Sequence, residues 1–346
     1  MGLRWAGRML PGWMALALLL TPGVIRAATC TSEPQMGSLD RDALTSAIER
    51  VASAVIAQDE ASLEAMLLPQ EASAWDGMRT AVEAAAPLVK GGRFQLRNLY
   101  LLDSSDQTAA ENTQFFCSNS LGALTATINM NALPPGRYAV ALADVAGEPQ
   151  AGQKGAPPAE AAGAPLGKMG VVLAWDGAAV AWKLAGLSLR PGVFEGHDGI
   201  WYWVRGRALA KSDPWSAWFS YDAARYLLLP VDFLSSPNLE KLRQEQSLIL
   251  PSPESALPLS LVDGDRTWKI EAVGLDPALH EADLGVVYQS TGVSDAAALR
   301  TEATAVLSAF LKAEPGIRAN FHGLWAYADK DGKRRAVMEL PMGQIP

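Results

Sequence analysis

Met169-Gly-Val-Val-Leu-Ala-Trp175-Asp176-Gly177-Ala-Ala-Val180-Ala-Trp182-Lys-Leu-Ala-Gly-Leu-Ser-Leu189 reads as two extended segments, 169–175 and 180–189, turned about Asp176-Gly177. Branched and aromatic side chains fill both segments, and Asp-Gly between such runs is a strong hairpin signal. The same period of two recurs upstream. Phe94, Leu96 and Asn98 alternate with Gln95, Arg97 and Leu99, and further extended runs lie at 113–117, 124–130 and 137–145. Successive strands with short turns build an antiparallel sheet. Residues 147–167, by contrast, are almost wholly Gly, Pro and Ala. That composition buries too little apolar surface to repay its ordering entropy, which predicts a disordered loop inside the domain.

Helices precede the sheet. Ser38 is placed to cap a helix in which Leu44, Ile48, Val51 and Val55 share a face; Asp59 starts a second, and a third aligns Trp75, Met78 and Val82. Helices followed by a curved antiparallel sheet that ends in the strand Ala181-Trp182-Lys183-Leu184 resemble the cone-shaped nuclear transport factor 2-like fold over residues 38–190. This resemblance implies a scaffold around a pocket. Leu133-Pro-Pro-Gly-Arg-Tyr138 resembles the turn entering a strand in secreted immunoglobulin-like modules, so a β-sandwich is the alternative.

Arg190-Pro191-Gly192 opens a different region. Residues 200–210 have helical character, Asp213-Pro214 supplies an N-cap and first-turn proline for a second helix ending at Pro230, and Ser236-Pro237 starts a third. Tyr202, Gly206, Ala217, Ala224 and Pro230 at these spacings resemble one tetratricopeptide unit, without the further copies that a solenoid needs. Prolines 251, 253 and 258 make 248–266 a connector. Beyond it, strands at 267–273 and 284–289, a helix capped by Ser294 and a final hairpin turning at Asp329-Lys-Asp-Gly332 form a small ββαββ unit. The fold class predicted is therefore α+β: helices with a curved sheet over 29–190, a helical hairpin over 191–247 and a small α+β domain over 267–346.

Compartment follows from residues 1–28. Arg4 and Arg8 precede the apolar run Met14-Ala-Leu-Ala-Leu-Leu-Leu20, and Ala27-Ala28 are small residues suited to cleavage, the layout of a secretory signal peptide. The membrane is met only through this leader. Its removal takes away three arginines and no acid, turning a net charge of −8 into −11, so nucleic acid is not a predicted partner. Cys30 and Cys117, the 2 cysteines of the chain, pair most simply as one disulfide in an oxidising compartment. The alternative for Cys30 is a lipid anchor, although Thr29 stands where such a signal has Gly or Ala. The stretch from Gly196 to Trp203, with that from Val231 to Leu242, resembles exported bacterial proteins of unassigned activity. This resemblance implies a periplasmic or secreted location and no chemistry.

Catalytic signals are sparse. His197 beside Asp198 is the candidate general base, and the simpler reading makes Asp198 a helix N-cap with His197 in the linker. His280 and His322 stand alone in sequence, no metal-ligand spacing occurs, and no Gly-x-Ser-x-Gly elbow or phosphate-binding loop is present. No metal or cofactor is expected. Asp263-Gly-Asp265 and Asp329-Lys-Asp331-Gly332 lack the later ligands of a calcium loop and read as turns. The strongest compositional signal is aromatic. Trp201, Trp203, Trp215, Trp218 and Tyr221, with Arg205, cannot all hide on one helix face, so they are either packing between the hairpin and its neighbours or a floor for a ligand. The functional expectation is an exported, non-enzymatic protein of the bacterial envelope that binds a partner protein or small ligand through this hairpin and the neighbouring domain. The alternative is a hydrolase or isomerase using His197 or a carboxylate in the cone pocket.

Overall fold

The computed structural model describes residues 28–146, 166–276, 281–292 and 295–346. The predicted signal peptide, the bulk of the predicted 147–167 loop, His280 and the predicted Ser294 cap lie outside the described residues.

The α+β class holds. α1 (Ser38–Ala57), α2 (Glu60–Met66), α3 (Trp75–Ala84) and α4 (Ala86–Val89) come first. Leu44, Ile48, Val51 and Val55 of α1 are buried as their spacing requires, and Asp59 Oδ1 caps α2 by accepting from the Ser62 N–H at 3.0 Å. They cover one face of a five-stranded antiparallel sheet in the order β1 (Thr29–Ser32), β2 (Arg93–Asp103), β5 (Arg137–Ala146), β6 (Gly167–Asp176), β7 (Ala181–Pro191). Alternation along the strands sorts side chains to two cores. Leu99, Leu101, Ala139, Ala141, Met169, Val171 and Leu173 face the helices, whereas Tyr100, Leu102, Val140 and Leu142 face the other way.

That second face is covered by a separate three-stranded sheet, β3 (Glu111–Ser118), β4 (Leu124–Leu133) and β10 (Leu234–Ser235). Both faces of the main sheet are therefore buried. The Cys30–Cys117 disulfide joins edge strand β1 to β3, stapling the two sheets across 87 residues of chain. The hairpin at Asp176-Gly177 exists, but its loop spans residues 177–180: Asp176 pairs with Ala181, and Asp176 Oδ1 accepts the N–H groups of Ala178 and Ala179. Val180, read as the first strand residue, sits in this turn at φ +50°.

The remainder forms one packing unit. α5 (Gly199–Leu209) and α6 (Pro214–Leu228) make the helical hairpin, with Gly206 and Gly199 letting α6 approach so closely that an added Cβ would fall 2.8 Å from the Tyr221 ring and 2.7 Å from Leu228. α7 (Pro237–Ser247) follows, capped by Ser236. The 248–266 segment is not simply a connector. It holds α8 (Pro253–Ala256) and β11 (Leu259–Asp263), which pairs with β12 (Arg266–Leu275) and makes the C-terminal sheet five-stranded: β11, β12, β13 (Leu284–Gln289), β14 (Gly323–Lys330), β15 (Lys333–Pro341). Alternation of Leu259 and Leu261 with Ser260 and Val262 carried the strand signal, and the nearby prolines masked it. α9 (Ala296–Ala313), capped by Asp295, crosses between the parallel pair β13 and β14. Asp263-Gly-Asp265 and Asp329–Gly332 are turns, the latter with Asp331 and Gly332 both at positive φ.

A single apolar core runs from Tyr202, Trp215 and Phe219 of the hairpin to Ile270, Val286, Phe310 and Leu324 of the C-terminal layer. The predicted boundary between a hairpin region and a C-terminal domain thus has no counterpart in packing. α6 is buried almost all round, so it is the middle of a core rather than the rim of one. Among the described residues no helix is long and apolar enough to cross a membrane.

Candidate functional site

Shared burial disperses the aromatic cluster. Trp215, at 4% exposed, meets Phe219 and Phe310 edge-on, and Tyr221, at 2%, lies against Gly206. Neither offers a ring to a ligand. Trp218 packs partly buried against the same core while its carbonyl accepts from Gln246. The hairpin does not carry one continuous aromatic floor.

Trp203 instead belongs to a knot around Glu245. Its indole N–H donates to Oε2 at 2.8 Å, Arg207 donates to both carboxylate oxygens at 2.7 and 2.8 Å, and the Tyr221 hydroxyl donates at 3.3 Å. The Arg207 hydrogen bond foremost, then the indole and the Arg207 charge, hold the Glu245 carboxyl down to about 2 against the opposing effect of burial. A carboxylate depressed in the folded state stabilises above its unfolded pKa and loses that contribution as pH falls through the folded one. Glu245→Gln is therefore expected to cost about 1–2 kcal/mol at neutral pH, the range of a charge-assisted hydrogen bond near the surface. Chemical denaturation at stepped pH should show the difference from wild type shrinking between about pH 4.5 and 2.

On the other side of α5, Asp198 caps the helix, Oδ1 accepting from the Trp201 N–H at 2.8 Å. His197 stacks on the Trp201 ring with centroids 3.8 Å apart and planes within 11°. Its neighbours in space matter more than its neighbours in sequence. β8 (Val193–Phe194) and β9 (His197–Asp198) form a tight ribbon turned by Glu195 and Gly196, at φ +50° and +81°. A glutamate in the left-handed region is an unfavourable choice where Asn or Gly is usual. The turn brings Glu195 to the start of the C-terminal sheet.

Topology completes the cluster there. The parallel register sets Leu284 against Leu324, so the residues just before each strand, Asp283 and His322, are brought side by side. His322 Nδ1 lies 2.9 Å from Asp283 Oδ1 and 3.5 Å from Glu281 Oε2. Donor atoms of Glu281, Asp283 and His322 all fall within 4.8 Å of one another. Glu339 reaches in from β15: a Cβ built on Gly323 would stand 2.9 Å from Asp283 Oδ1 and 3.4 Å from Glu339 Oε1. Only glycine leaves that space open.

Negative charge is in excess here. Burial raises the pKa of Asp283, of Glu339 and of the Glu195 carboxyl, and neighbouring carboxylates add to each shift. Burial opposes charge on His322, yet the hydrogen bond and charge of Asp283, with Glu281 and Glu195, outweigh it and raise its pKa. Asp283 is 0% exposed, and its Oδ2 has no hydrogen-bond partner. The Trp325 indole helps to hold Asp283 charged without closing a hydrogen bond to that oxygen. A buried carboxylate oxygen left unpaired costs free energy unless something else meets it.

His322 thus does not stand alone, contrary to expectation. No local motif announces the group, because residues 195, 281, 283, 322 and 339 come from four separate segments; the Glu281-Ala-Asp283 pair ahead of a strand was the nearest thing to a signal. Arg205 turns away to the Asn320 side-chain oxygen. A recess of about 470 Å³ in the N-terminal layers is lined by Glu71, Arg137, Tyr138 and Trp175, with His197 elsewhere. A recess of about 690 Å³ beside α9 includes Trp268 and Glu302, but Glu302 is already engaged by the Ser290 and Thr291 hydroxyls. Comparison of the chain with protein-family models, with curated proteins and with solved structures finds no match.

Proposed function

We propose that the protein is an exported, non-enzymatic binding protein whose junction between the β8–β9 turn and the C-terminal sheet takes a cationic ligand or a basic segment of a partner. One observation carries the reading: Glu195, Glu281, Asp283 and Glu339 gather around the His322 imidazole, with His197 the one other cation-forming group acting on Glu195, so carboxylates outnumber imidazoles four to two. The leader-like N-terminus and the disulfide support export to the periplasm or beyond. Helices on one face of the main sheet support the likeness to a nuclear transport factor 2-like cone, and the glycine-mediated contact of α5 with α6 supports the likeness to one tetratricopeptide unit.

Calorimetric titration of the mature protein with divalent ions, spermidine and a lysine-rich peptide tests the reading. At least one should bind at low salt, and the Glu281→Gln/Glu339→Gln variant should weaken it at least tenfold. Ligands that bind equally well to the variant, or no binding at all, would refute it. N-terminal sequencing of the protein from its native envelope should find the first 27 or 28 residues missing.

A second reading rests on the His322–Asp283 pair itself, since an imidazole held by a buried carboxylate is how a general base is oriented. Its partners among the described residues are carboxylates. Hydrolytic turnover of ester or phosphoester substrates that is lost in His322→Gln would favour the enzyme.

A further inference from the structure

We propose that the occupant of the junction is a first-row divalent metal ion of the zinc type, ligated by Glu281, Asp283 and His322 Nδ1, with Glu339 or water in the fourth position. This rests on the cationic-ligand reading above and narrows it to one chemistry.

Spacing is the first argument. Ligand atoms about 2.0–2.1 Å from a tetrahedral zinc stand about 3.3–3.4 Å from each other. His322 Nδ1 is 2.9 Å from Asp283 Oδ1 and 3.5 Å from Glu281 Oε2, values that bracket this edge. Two of the three donor–donor edges thus match a coordination face, and the third, between Glu281 and Asp283, lies within 4.8 Å, a gap that the half-exposed Glu281 side chain can close. Glu281 is the ligand free to adjust, its side chain 47% exposed, whereas Asp283 is fixed by burial.

The second argument is independent of the acidic cluster as such. Asp283 is wholly buried, and Oδ2 closes no well-formed hydrogen bond, the Trp325 indole being the donor beside the carboxylate. Hydrogen bonds satisfy Oδ1 alone, so the carboxylate keeps an open lone pair inside the protein. A metal ion bound by Nδ1 and the carboxylate together satisfies a buried Asp more completely than one hydrogen bond from an imidazole does.

Donor type selects the ion. An imidazole nitrogen with carboxylates suits zinc and its neighbours, while calcium and magnesium prefer oxygen alone and more of it. Gly323 contributes by absence. A methyl group there would press on the Asp283 and Glu339 oxygens together. Glu195 lies beside this site in a backbone conformation that Asn tolerates better, so Glu195→Asn removes a carboxylate at the cost of the hydrogen bond that it accepts from the Ala282 N–H.

The experiment titrates the metal-stripped, tag-free mature chain with Zn²⁺, Mn²⁺ and Ca²⁺ by calorimetry, alongside spermidine and the basic peptide. Zn²⁺ should bind with 1:1 stoichiometry, more tightly than Ca²⁺, and raise the melting temperature. His322→Gln and Glu281→Gln should each weaken Zn²⁺ on the order of 100-fold, since loss of even an outer-shell partner weakens metal sites about 10–100-fold. Glu195→Asn, which lowers the charge around the site without removing a ligand, should change the affinity by less than either ligand variant. X-ray absorption at the zinc edge should find one imidazole nitrogen with oxygens in the first shell. Absence of saturable Zn²⁺ binding, or equal affinity in the His322→Gln protein, overturns the proposal. Spermidine or peptide binding without metal binding would overturn it while leaving the cationic-ligand reading intact; failure of every probe would overturn both.

Discussion

Replacing Cys30 and Cys117 together by alanine is expected to lower the stability of the N-terminal layers by about 4 kcal/mol, the loop-closure term for a cross-link spanning roughly this length of chain. The bond separates its ends by 87 residues and connects β1, a four-residue edge strand, to β3 in the other sheet. Without it, β1 keeps its antiparallel ladder to β2, from Thr29 opposite Asp103 to Ser32 opposite Tyr100, and one hydrogen bond to β3, the Ser32 hydroxyl donating to the Ser118 carbonyl at 3.2 Å. Alanine avoids adding a hydroxyl at Cys117, which is fully buried. At about 2–4 °C per kcal/mol for a unit of this size, the melting transition should fall by about 8–16 °C. Wild type treated with reductant should fall to the same point. A shift under about 2 °C would mean that the two sheets hold together without the staple.

Trp215→Ala is expected to cost about 3–5 kcal/mol, the usual range for emptying a buried aromatic site. Its ring meets Phe219 on its own helix at 6.1 Å and Phe310 on α9 at 5.7 Å, so it bonds the hairpin to the C-terminal layer. Because these belong to one core, hydrogen-exchange protection should decline together in α6, α9 and β13. Trp203→Ala gives the contrast. It removes one hydrogen bond to Glu245 and the ring beneath Arg207, at 4.6 Å, and should cost about 1–2 kcal/mol. The reverse order of the two variants, or protection lost from the hairpin alone, would show that the hairpin folds independently.

The two tryptophans also show how far a sequence reading reaches. Helical spacing correctly said that one face could not hide every ring, and it left packing and ligand floor as the two options. What it lacked was the second wall. The C-terminal layer covers α6 on a face that α5 leaves free, and nothing in residues 214–228 states that a sheet beginning at Leu259 will lie there.

Much of the local order was legible because it depends on neighbouring residues, although Ser38, expected to cap α1, is its first residue and Gly37 takes the cap position with no side chain to offer. The apolar stripe of α1, the caps at Asp59, Asp198, Asp213 and Ser236, the Asp331-Gly332 turn and the α+β order are all settled within one or two turns of chain. The Cys30–Cys117 pairing was legible for another reason: with two cysteines there is one possible bridge. Tertiary structure alone decided that β3 and β4 leave the main sheet to form a second, that β11 joins the C-terminal sheet, and that hairpin and sheet share a core. It also made the candidate site. Glu195, Asp283, His322 and Glu339 meet because parallel pairing of β13 with β14, and a strained turn 88 residues before Asp283, converge on one point. Side-chain chemistry is written in the sequence, but distance between side chains is a property of how strands register, and that is fixed only when the whole sheet closes.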